Sequence, residues 1–473
     1  MAKLTTLNRR LVSRSESSGE ARAQGFLHPA RVILLSFVAV IALGASLLMI
    51  PAATVKGSLP FVDALFTATS ATCVTGLVVL DTGRDFTLFG QGVILFLIQV
   101  GGLGIMTLST FFMYLVAGRL SVTGRDIVQD TLSQHPMANL ARLLKVVFGI
   151  TILIEGAGGL LLALRFMGTY PPATSLYLGF FHAVSAFCNA GFGLFPDSFI
   201  SYKTDVVVNA VLIALIIIGG LGFVVVSDLL NIRRWRTGMG FRSLRYHTRI
   251  VLFMTGLLVA GGFVLFWVLE SRNSLKELSP GHQILAALFQ SVTTRTAGFN
   301  TVELQTLTNS TLFFFIIFMF IGASPGSCGG GIKTTTFAVI FASVLARFRA
   351  EEDVNIFYRR VPGEIVSRAI SVLFFSGFIV AFFTIVLLIT ELPRVSHMET
   401  RGLFLEYLFE VVSAFATVGL STGVTPKLSS TGRLLVTLLM FIGRLGPLTI
   451  AIAVQGHAYR KKYRYVQDNL LVG

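Results

Sequence analysis

The sequence predicts an all-α integral membrane fold of four tandem helix–re-entrant segment–helix repeats, eight spanning helices in all, with pseudo-fourfold symmetry about one axis. Three observations predict it. The 473-residue chain is 54% hydrophobic and only 13% charged, with mean hydropathy +0.78, whereas a soluble domain carries roughly 25% charge. A segment too short to cross a bilayer recurs four times: FTATSATCVTGL from Phe66, FHAVSAFCNAGF from Phe181, FQSVTTRTAGF from Phe289 and FEVVSAFATVGL from Phe409. Each opens on Phe, runs through small and hydroxylated residues and ends on Gly followed by Leu or Phe. A second glycine motif begins at Gly101, Gly219, Gly322 and Gly443, which lie 25, 28, 24 and 24 residues beyond Gly76, Gly191, Gly298 and Gly419. Chance in apolar sequence yields one such coincidence, not four in register.

Taken in order, residues 1–30 are polar and basic (Arg9, Arg10, Arg14, Arg22) and predict a flexible cytosolic tail. They lack the apolar run of a signal peptide. Repeat 1 covers 31–118: an uncharged span at 32–55 ending near Pro51, a short segment at about 60–76, and a span at 86–118 broken at Gly101–Gly102–Leu103–Gly104. Repeat 2 covers 119–229, with a basic loop at 119–145, a span at 146–164, a short segment at 175–191 and a span at 206–227. Repeat 3 covers 230–346: a loop at 230–249, a span at 250–269, the segment ending at Gly298, and an apolar stretch from 304 to 332 and beyond. Repeat 4 covers 347–456, with a charged loop at 347–368, a span at 369–390, the segment ending at Gly419 and a span at 434–455. A basic tail closes the chain at 457–473. A span needs about 20 apolar residues, and these continuous blocks exclude a barrel of alternating strands.

The net charge of +15 is distributed by topology. The loop at 230–249 holds Arg233, Arg234, Arg236, Arg242, Arg245 and Arg249 without an acid, and the C-terminal tail holds Arg460, Lys461, Lys462 and Arg464. Acids (Asp197, Glu303, Glu391, Glu399, Glu406) fall in the alternate loops. Eight spans put both termini with the arginines, and the positive-inside rule makes that side the cytoplasm of a multi-pass cytoplasmic-membrane protein. The short segments therefore dip in from outside. The basic balance is not a nucleic-acid signature, and the 233–249 arginines read as topology and lipid attraction. Cys73, Cys188 and Cys328 are too few for a disulfide framework, the seven histidines lack metal-ligand spacing, and no cofactor motif is present. No Walker or triad pattern points to an enzyme, and no span carries the arginine ladder of a voltage sensor.

Non-helical backbone at membrane depth survives only where it is buried in protein or lines a wet cavity. A short helix followed by a glycine-ended strip meets that condition, because its carbonyls can replace the hydration shell of a cation. Gly supplies φ > 0 and leaves the axis free of side chains. Four such pore loops in one chain predict a central ion pore, with Val74-Thr75-Gly76, Asn189-Ala190-Gly191, Thr296-Ala297-Gly298 and Thr417-Val418-Gly419 as its quarters. Pro325 and the five glycines at 322, 326, 329, 330 and 331 break the second span of repeat 3, at about 1 kcal/mol per Gly and 3 for Pro. Arg444 lies in mid-span, where a charge costs on the order of 2.5–3.5 kcal/mol and marks a functional candidate. Glu155, also mid-span, reads as a buried structural acid, with a contribution to the negative field around the pore as the alternative. Arg295 is expected to point away from the axis and bond pore-helix carbonyls or an acid such as Glu303.

Thr417-Val418-Gly419 resembles the first half of the potassium-channel filter, and the fourfold array resembles the Trk/Ktr/HKT potassium transporter superfamily, in particular its KtrB-type membrane subunits. The most specific marks are TTRTAGFN from Thr293, SPGSCGGGIKTTT from Ser324, and Gly443-Arg444. The resemblance covers nearly the whole chain from about residue 30. It implies K+ uptake with K+ held at the carbonyls of the twelve filter residues named above, Na+ as an activator, a homodimer, and a cytosolic RCK-type nucleotide-binding ring on another chain. It also implies a gate made of Gly322, Ala323, Ser324, Pro325, Gly326, Ser327, Cys328, Gly329, Gly330 and Gly331, with Lys333 and Arg444. All four filter positions hold Gly, the pattern associated with K+ selectivity, and no Ser replaces the first. The rival reading is a secondary transporter of another monovalent cation or small solute using broken-helix sites. Its inverted repeats alternate in orientation, whereas these four segments all enter from one side.

Overall fold

The computed structural model describes residues 29–104, 140–230 and 244–447, apart from 394 and 397. Both expected cytosolic tails, most of the loop at 119–145, Arg233, Arg234, Arg236 and Arg242, and the stretches 105–118 and 448–455 of two expected spans lie outside the described residues.

The described chain is mostly helical. In order it forms α1 (Pro29–Leu48), α2 (Phe61–Thr72), α3 (Leu88–Leu103), α4 (Leu140–Phe166), α5 (Pro172–Phe187), α6 (Val206–Leu221) and α7 (Phe223–Leu229). It continues through α8 (Tyr246–Glu270), α9 (Pro280–Thr293), α10 (Asn309–Phe320), α11 (Thr334–Phe348), α12 (Gly363–Glu391), α13 (Leu403–Phe415) and α14 (Ser430–Leu445). The charged loop at 347–368 is not irregular throughout. It contains an antiparallel hairpin of β1 (Asn355–Ile356) and β2 (Arg359–Arg360), turned at Phe357 and Tyr358 with φ 49° and 60°.

Four helices are long and apolar enough to cross a bilayer: α1, α4, α8 and α12. Only 28% of the apolar window of α12 is buried, and Phe374, Phe378, Phe382 and Ile389 stand exposed. A face that apolar belongs against lipid tails rather than water. The other expected spans are interrupted. The expected single span at 206–227 turns by 106° between α6 and α7. The hinge is Gly222 at φ 92°, where an added Cβ would sit 2.6 Å from the Pro325 carbonyl oxygen. A left-handed residue in that confinement has to be Gly. α3 stops at Gly104 (φ 82°) and α14 at Gly446 (φ 81°), while α10 ends before an extended loop that leads to α11. Among the described residues, four continuous helices of spanning length therefore stand where eight are expected, or five if α6 and α7 count as one.

Local chemistry sets the element ends. α2, α5 and α9 start beside Pro60, Pro171–Pro172 and Pro280, where a missing N–H costs nothing. The helices after the glycine strips are capped by side chains: Thr87 accepts from Gly90 N, Asp205 from Val207 and Val208 N, Thr308 from Thr311 N and Ser429 from Gly432 N. Each such cap is worth about 1 kcal/mol. Two are tied to the preceding long helix, since Glu270 accepts from Thr308 N at 3.0 Å and Glu391 from Ser429 N at 3.0 Å.

Packing runs in a cycle. α3 packs on α5, α6 on α9, α10 on α13 and α14 on α2. The last helix of the chain thus closes on the first short helix, and Arg433 of α14 pairs with Asp63 of α2 at 2.6 Å across that seam. The core is correspondingly central: Phe66, Phe187, Phe289 and Phe415, one from each short helix, are all but fully buried.

Candidate functional site

Beyond each short helix the backbone changes hand twice. Val74, Asn189, Thr296 and Thr417 have φ of 57°, 56°, 65° and 50°, and Gly76, Gly191, Gly298 and Gly419 have φ of 90°, 72°, 80° and 90°. Alternating hand gathers successive N–H groups on one side of the strip and leaves the carbonyls on the other. The N–H groups turn back to the helix: Thr75 N donates to Ser70 O (2.8 Å), Ala190 N to Ser185 O (2.7 Å), Ala297 N to Thr293 O (3.1 Å) and Val418 N to Ser413 O (2.8 Å).

The four strips meet in a ring. A Cβ built on Gly191 would lie 3.0 Å from Ala297 O, and one on Gly298 would lie 2.7 Å from Val418 O. One on Gly76 would strike Ala190 O, and one on Gly419 would strike Thr75 O. Each glycine therefore faces the carbonyl before the next glycine, in the order 76, 191, 298, 419 and back to 76. A non-glycine residue at any of these positions would collide with the backbone of the neighbouring strip. Above the ring lies a cavity of about 400 Å³ with all four glycines in its lining. Asp81 and Asp197 also line it, and Ser201 N holds Asp197 at 2.9 Å. Two carboxylates at such a mouth raise the local cation concentration.

A hydroxyl column in the short helices locks the strips and escaped the sequence reading. Ser70 accepts from Gly76 N (3.1 Å) and donates to Leu77 O (2.7 Å). Ser185 donates to Phe192 O (2.7 Å), Thr293 to Phe299 O (2.5 Å), and Ser413 accepts from Gly419 N (3.1 Å). The signal was present: aligning the four segments on Phe puts Ser70, Ser185, Thr293 and Ser413 in one column of hydroxyls.

Directly beneath the ring lies the glycine loop between α10 and α11. Gly322 N donates to Ile332 O (2.9 Å) and Ala323 N to Gly330 O (3.3 Å), so the loop is a folded-back strap pinned at its neck. Gly330 N donates to the Thr417 hydroxyl at 3.0 Å, and Gly329 leaves no room beside the Thr296 hydroxyl. Ser324 N donates to Gly220 O (3.1 Å), Cys328 N to Gly219 O (3.4 Å), and Phe223 N to Gly326 O (3.1 Å). Within the strap Ser327 bonds Ser324 O (2.6 Å), Ser324 bonds Thr334 (3.0 Å), and Lys333 Nζ donates to Gly329 O (2.6 Å). Pro325 and Gly331 complete it, Gly331 with φ 68°.

Arg444 reaches the same strap from α14. One guanidinium nitrogen donates to Cys328 O, and the other to Gly101 O at 2.5 Å. The structure thus brings the twelve strip residues into one ring and the twelve loop, Lys333 and Arg444 positions into one cluster below it. Glu155 is buried near that cluster and accepts from Gln99 Nε2 of α3 (3.3 Å) and from the thiol of Cys188, the residue after α5 (3.8 Å). The expectation for Arg295 needs correction. It makes no ion pair with Glu303 among the described residues. It inserts between α6 and α8 beside Ile216, Ile217, Gly220 and Val259, with its Nε unpartnered.

The cation transport protein (TrkH) family model matches residues 15–460. Ktr system potassium uptake protein B of Vibrio alginolyticus is 41% identical over 445 residues, covering 94% of each chain. The protein of the same name from Bacillus subtilis is 41% identical over 94% of this chain and 97% of its own. Potassium/sodium uptake protein NtpJ of Enterococcus hirae is 34% identical over 96% and 99%. The crystal structure of the potassium transporter TrkH from Vibrio parahaemolyticus superposes with a TM-score of 0.68 at 17% identity, over 90% of this chain and 84% of that one, a likeness of fold.

Proposed function

The chain belongs to the TrkH family of cation transport proteins, and on that premise we propose that it carries K+ into the cell through the ring of Gly76, Gly191, Gly298 and Gly419. The observation that carries this reading is the ring itself: four left-handed glycines, each against the carbonyl preceding the next. Partial charges on oxygen, with no side chain in the way, suit a dehydrated monovalent cation. In this reading four helix–pore loop–helix repeats surround the axis with pseudo-fourfold symmetry. The reading has eight spans and puts both termini in the cytoplasm.

The strap at Gly322–Gly331, with Lys333 and Arg444, is the gate. It lies under the ring, and hydrogen bonds to the other three repeats hold it there: Gly219 and Gly220 from repeat 2, and Thr417 from repeat 4, with Arg444 spanning from the strap to Gly101 of repeat 1. The guanidinium adds a fixed positive charge where the cation must pass. The strap moves aside when the cytosolic RCK-type nucleotide-binding ring signals, which fits relatives named as protein B of a Ktr system. A homodimer is the assembled form. Na+ activates, in keeping with a relative named a potassium/sodium uptake protein.

Growth rescue of a K+-uptake-deficient bacterium at low K+, with and without Na+, tests the reading. Rescue abolished by Gly419→Arg is expected. Failure to rescue with a regulatory subunit co-expressed, despite normal membrane levels, overturns it.

A further inference from the structure

A second cavity, of about 400 Å³, lies away from the ring and the strap, between the end of α11, the β1–β2 hairpin and the start of α12. Val354 and Val361, from a small buried cluster, form part of its lining. The hairpin wall is anchored: Val361 N donates to Val354 O (2.8 Å), the Tyr246 hydroxyl of α8 donates to Ile356 O (3.1 Å), and Arg360 pairs with Asp353 at 2.9 Å. That pair leaves two opposite charges in the lining, Arg347 of α11 and Glu352 of the loop, and neither is in an ion pair among the described residues. Ser343 stands one turn before Arg347 on the same face of α11, and Ser367 lines the cavity from α12. Both hydroxyls are without a hydrogen bond among the described residues. The sequence of α12 sets the depth. Arg368 is its last charge before Glu391, so the cavity lies at the level where the apolar span begins. Ile370, already within that span, also lines the cavity and is exposed, as is Phe374 one turn further along.

We propose that this cavity binds the phosphoethanolamine head group of a membrane lipid. Arg347, Ser343 and Ser367 hold the phosphate, and Glu352 accepts from the primary ammonium. A guanidinium suits phosphate because its planar fork makes charge-assisted bonds to two oxygens at once. The charge count selects a zwitterion. Two arginines and two carboxylates line the cavity, so a polyphosphate would meet no net positive charge, and inorganic phosphate would leave Glu352 beside an anion. The volume falls within the range of small-molecule sites. That the head group belongs to a lipid follows from Ile370 and Phe374, which share one face of α12, stand exposed and continue from the cavity into the apolar span, where acyl chains lie against such a face. A lipid so placed bridges the end of α11, whose first residue bonds the strap through the Thr334 hydroxyl, to the start of α12.

The test uses the full-length protein, purified and delipidated in detergent, and titrated with phosphatidylethanolamine, phosphatidylglycerol or phosphatidylcholine of the same acyl chains. Bound lipid is counted by native mass spectrometry, and the melting temperature follows occupancy. Phosphatidylglycerol offers the phosphate without an ammonium, and phosphatidylcholine an ammonium with no N–H to donate. Wild type is expected to bind phosphatidylethanolamine roughly tenfold more tightly than either, the worth of one charge-assisted hydrogen bond. Arg347→Ala should weaken that binding by roughly tenfold or more, and Glu352→Gln should erase the preference, so that the ethanolamine and glycerol lipids bind alike. Equal or weaker binding of phosphatidylethanolamine by wild type overturns the proposal, as does binding and preference unchanged in both variants. Soluble phosphoethanolamine that raises the melting temperature as far as the lipid does would make the ligand a free one and overturn the assignment to a lipid. The head-group comparison needs no substitution, so a variant that fails to fold does not spoil the test. No readout depends on transport, so this proposal and the K+ reading fail separately.

Discussion

Replacing Arg444 by Ala tests the gate most directly. The side chain donates one bond to Cys328 O and one to Gly101 O, joining the strap to the glycine motif of repeat 1. A hydrogen bond from a charged group is worth about 1.5–3 kcal/mol net. Two give roughly 3–6, and because Arg444 is only partly buried the lower end, about 3 kcal/mol, is the right figure. At 1.4 kcal/mol per factor of ten, that lowers the weight of the closed strap by roughly 100-fold. A transporter closed about 99% of the time would become about half open, so uptake in the absence of its regulator should rise about 50-fold. Removal of the positive charge acts in the same direction. The assay is Rb+ uptake into proteoliposomes holding the membrane chain alone, with Arg444→Lys expected to fall between the two because an ammonium cannot span both carbonyls. Wild-type flux in a well-folded Arg444→Ala protein would refute the argument. So would a decrease, which would make Arg444 part of the conduction path and not of its closure.

Three further outcomes follow from the same geometry. Gly76→Ser drives a side chain into the Ala190 carbonyl of the neighbouring strip and should cut K+-over-Na+ preference at least tenfold, read as Na+ competition against Rb+ uptake. Ser413→Ala removes the acceptor of Gly419 N, a loss of about 1 kcal/mol; roughly fivefold slower uptake is expected, with Ser413→Thr restoring most of it. Asp63→Asn leaves Arg433 without its carboxylate at the seam between α14 and α2. Its melting temperature in detergent should fall by several degrees, and by less when Arg433→Gln is added, since an orphaned half-buried charge costs more than a missing pair.

Much of this was legible in the residues because membranes punish ambiguity. Apolar length marks α1, α4, α8 and α12, and prolines at or just before the first residue of α2, α5 and α9 mark where helices begin. The glycine strips were readable because only Gly fits a left-handed turn facing a carbonyl, as at Gly298. What stayed hidden depends on where chains meet in space. Gly222 reads as one more glycine of the repeated motif, and the sequence shows neither the 106° turn there nor the Pro325 carbonyl of the strap that faces it. Arg295 misled for the same reason: sequence proximity to Glu303 says nothing about the helix interface that takes the side chain. The hydroxyl column was visible but carried no weight until the bond from Gly76 N to Ser70 gave it a task.

The departure from fourfold regularity has a direction. Repeat 3 has the shortest of the four segments, one residue less than its sisters, and replaces a single-glycine hinge with the strap. At the other three breaks Gly104, Gly222 and Gly446 each take a positive φ at a single residue. The strap lies under the ring, fixed by bonds to Gly219, Gly220 and Thr417 and tied by Arg444 to Gly101. No single bond there exceeds a few kcal/mol, yet several must break together for the strap to leave. A closure of that kind is bistable rather than graded. A regulator need not grip the strap itself, because α11 runs from Thr334 at the strap to Phe348 as one rigid rod. If this is right, a flexible insertion of three glycines in the middle of α11 should uncouple regulation while leaving the unregulated Rb+ flux near wild type. Regulation that survives the insertion would place the signal on another helix, with α14 and its Arg444 as the remaining route.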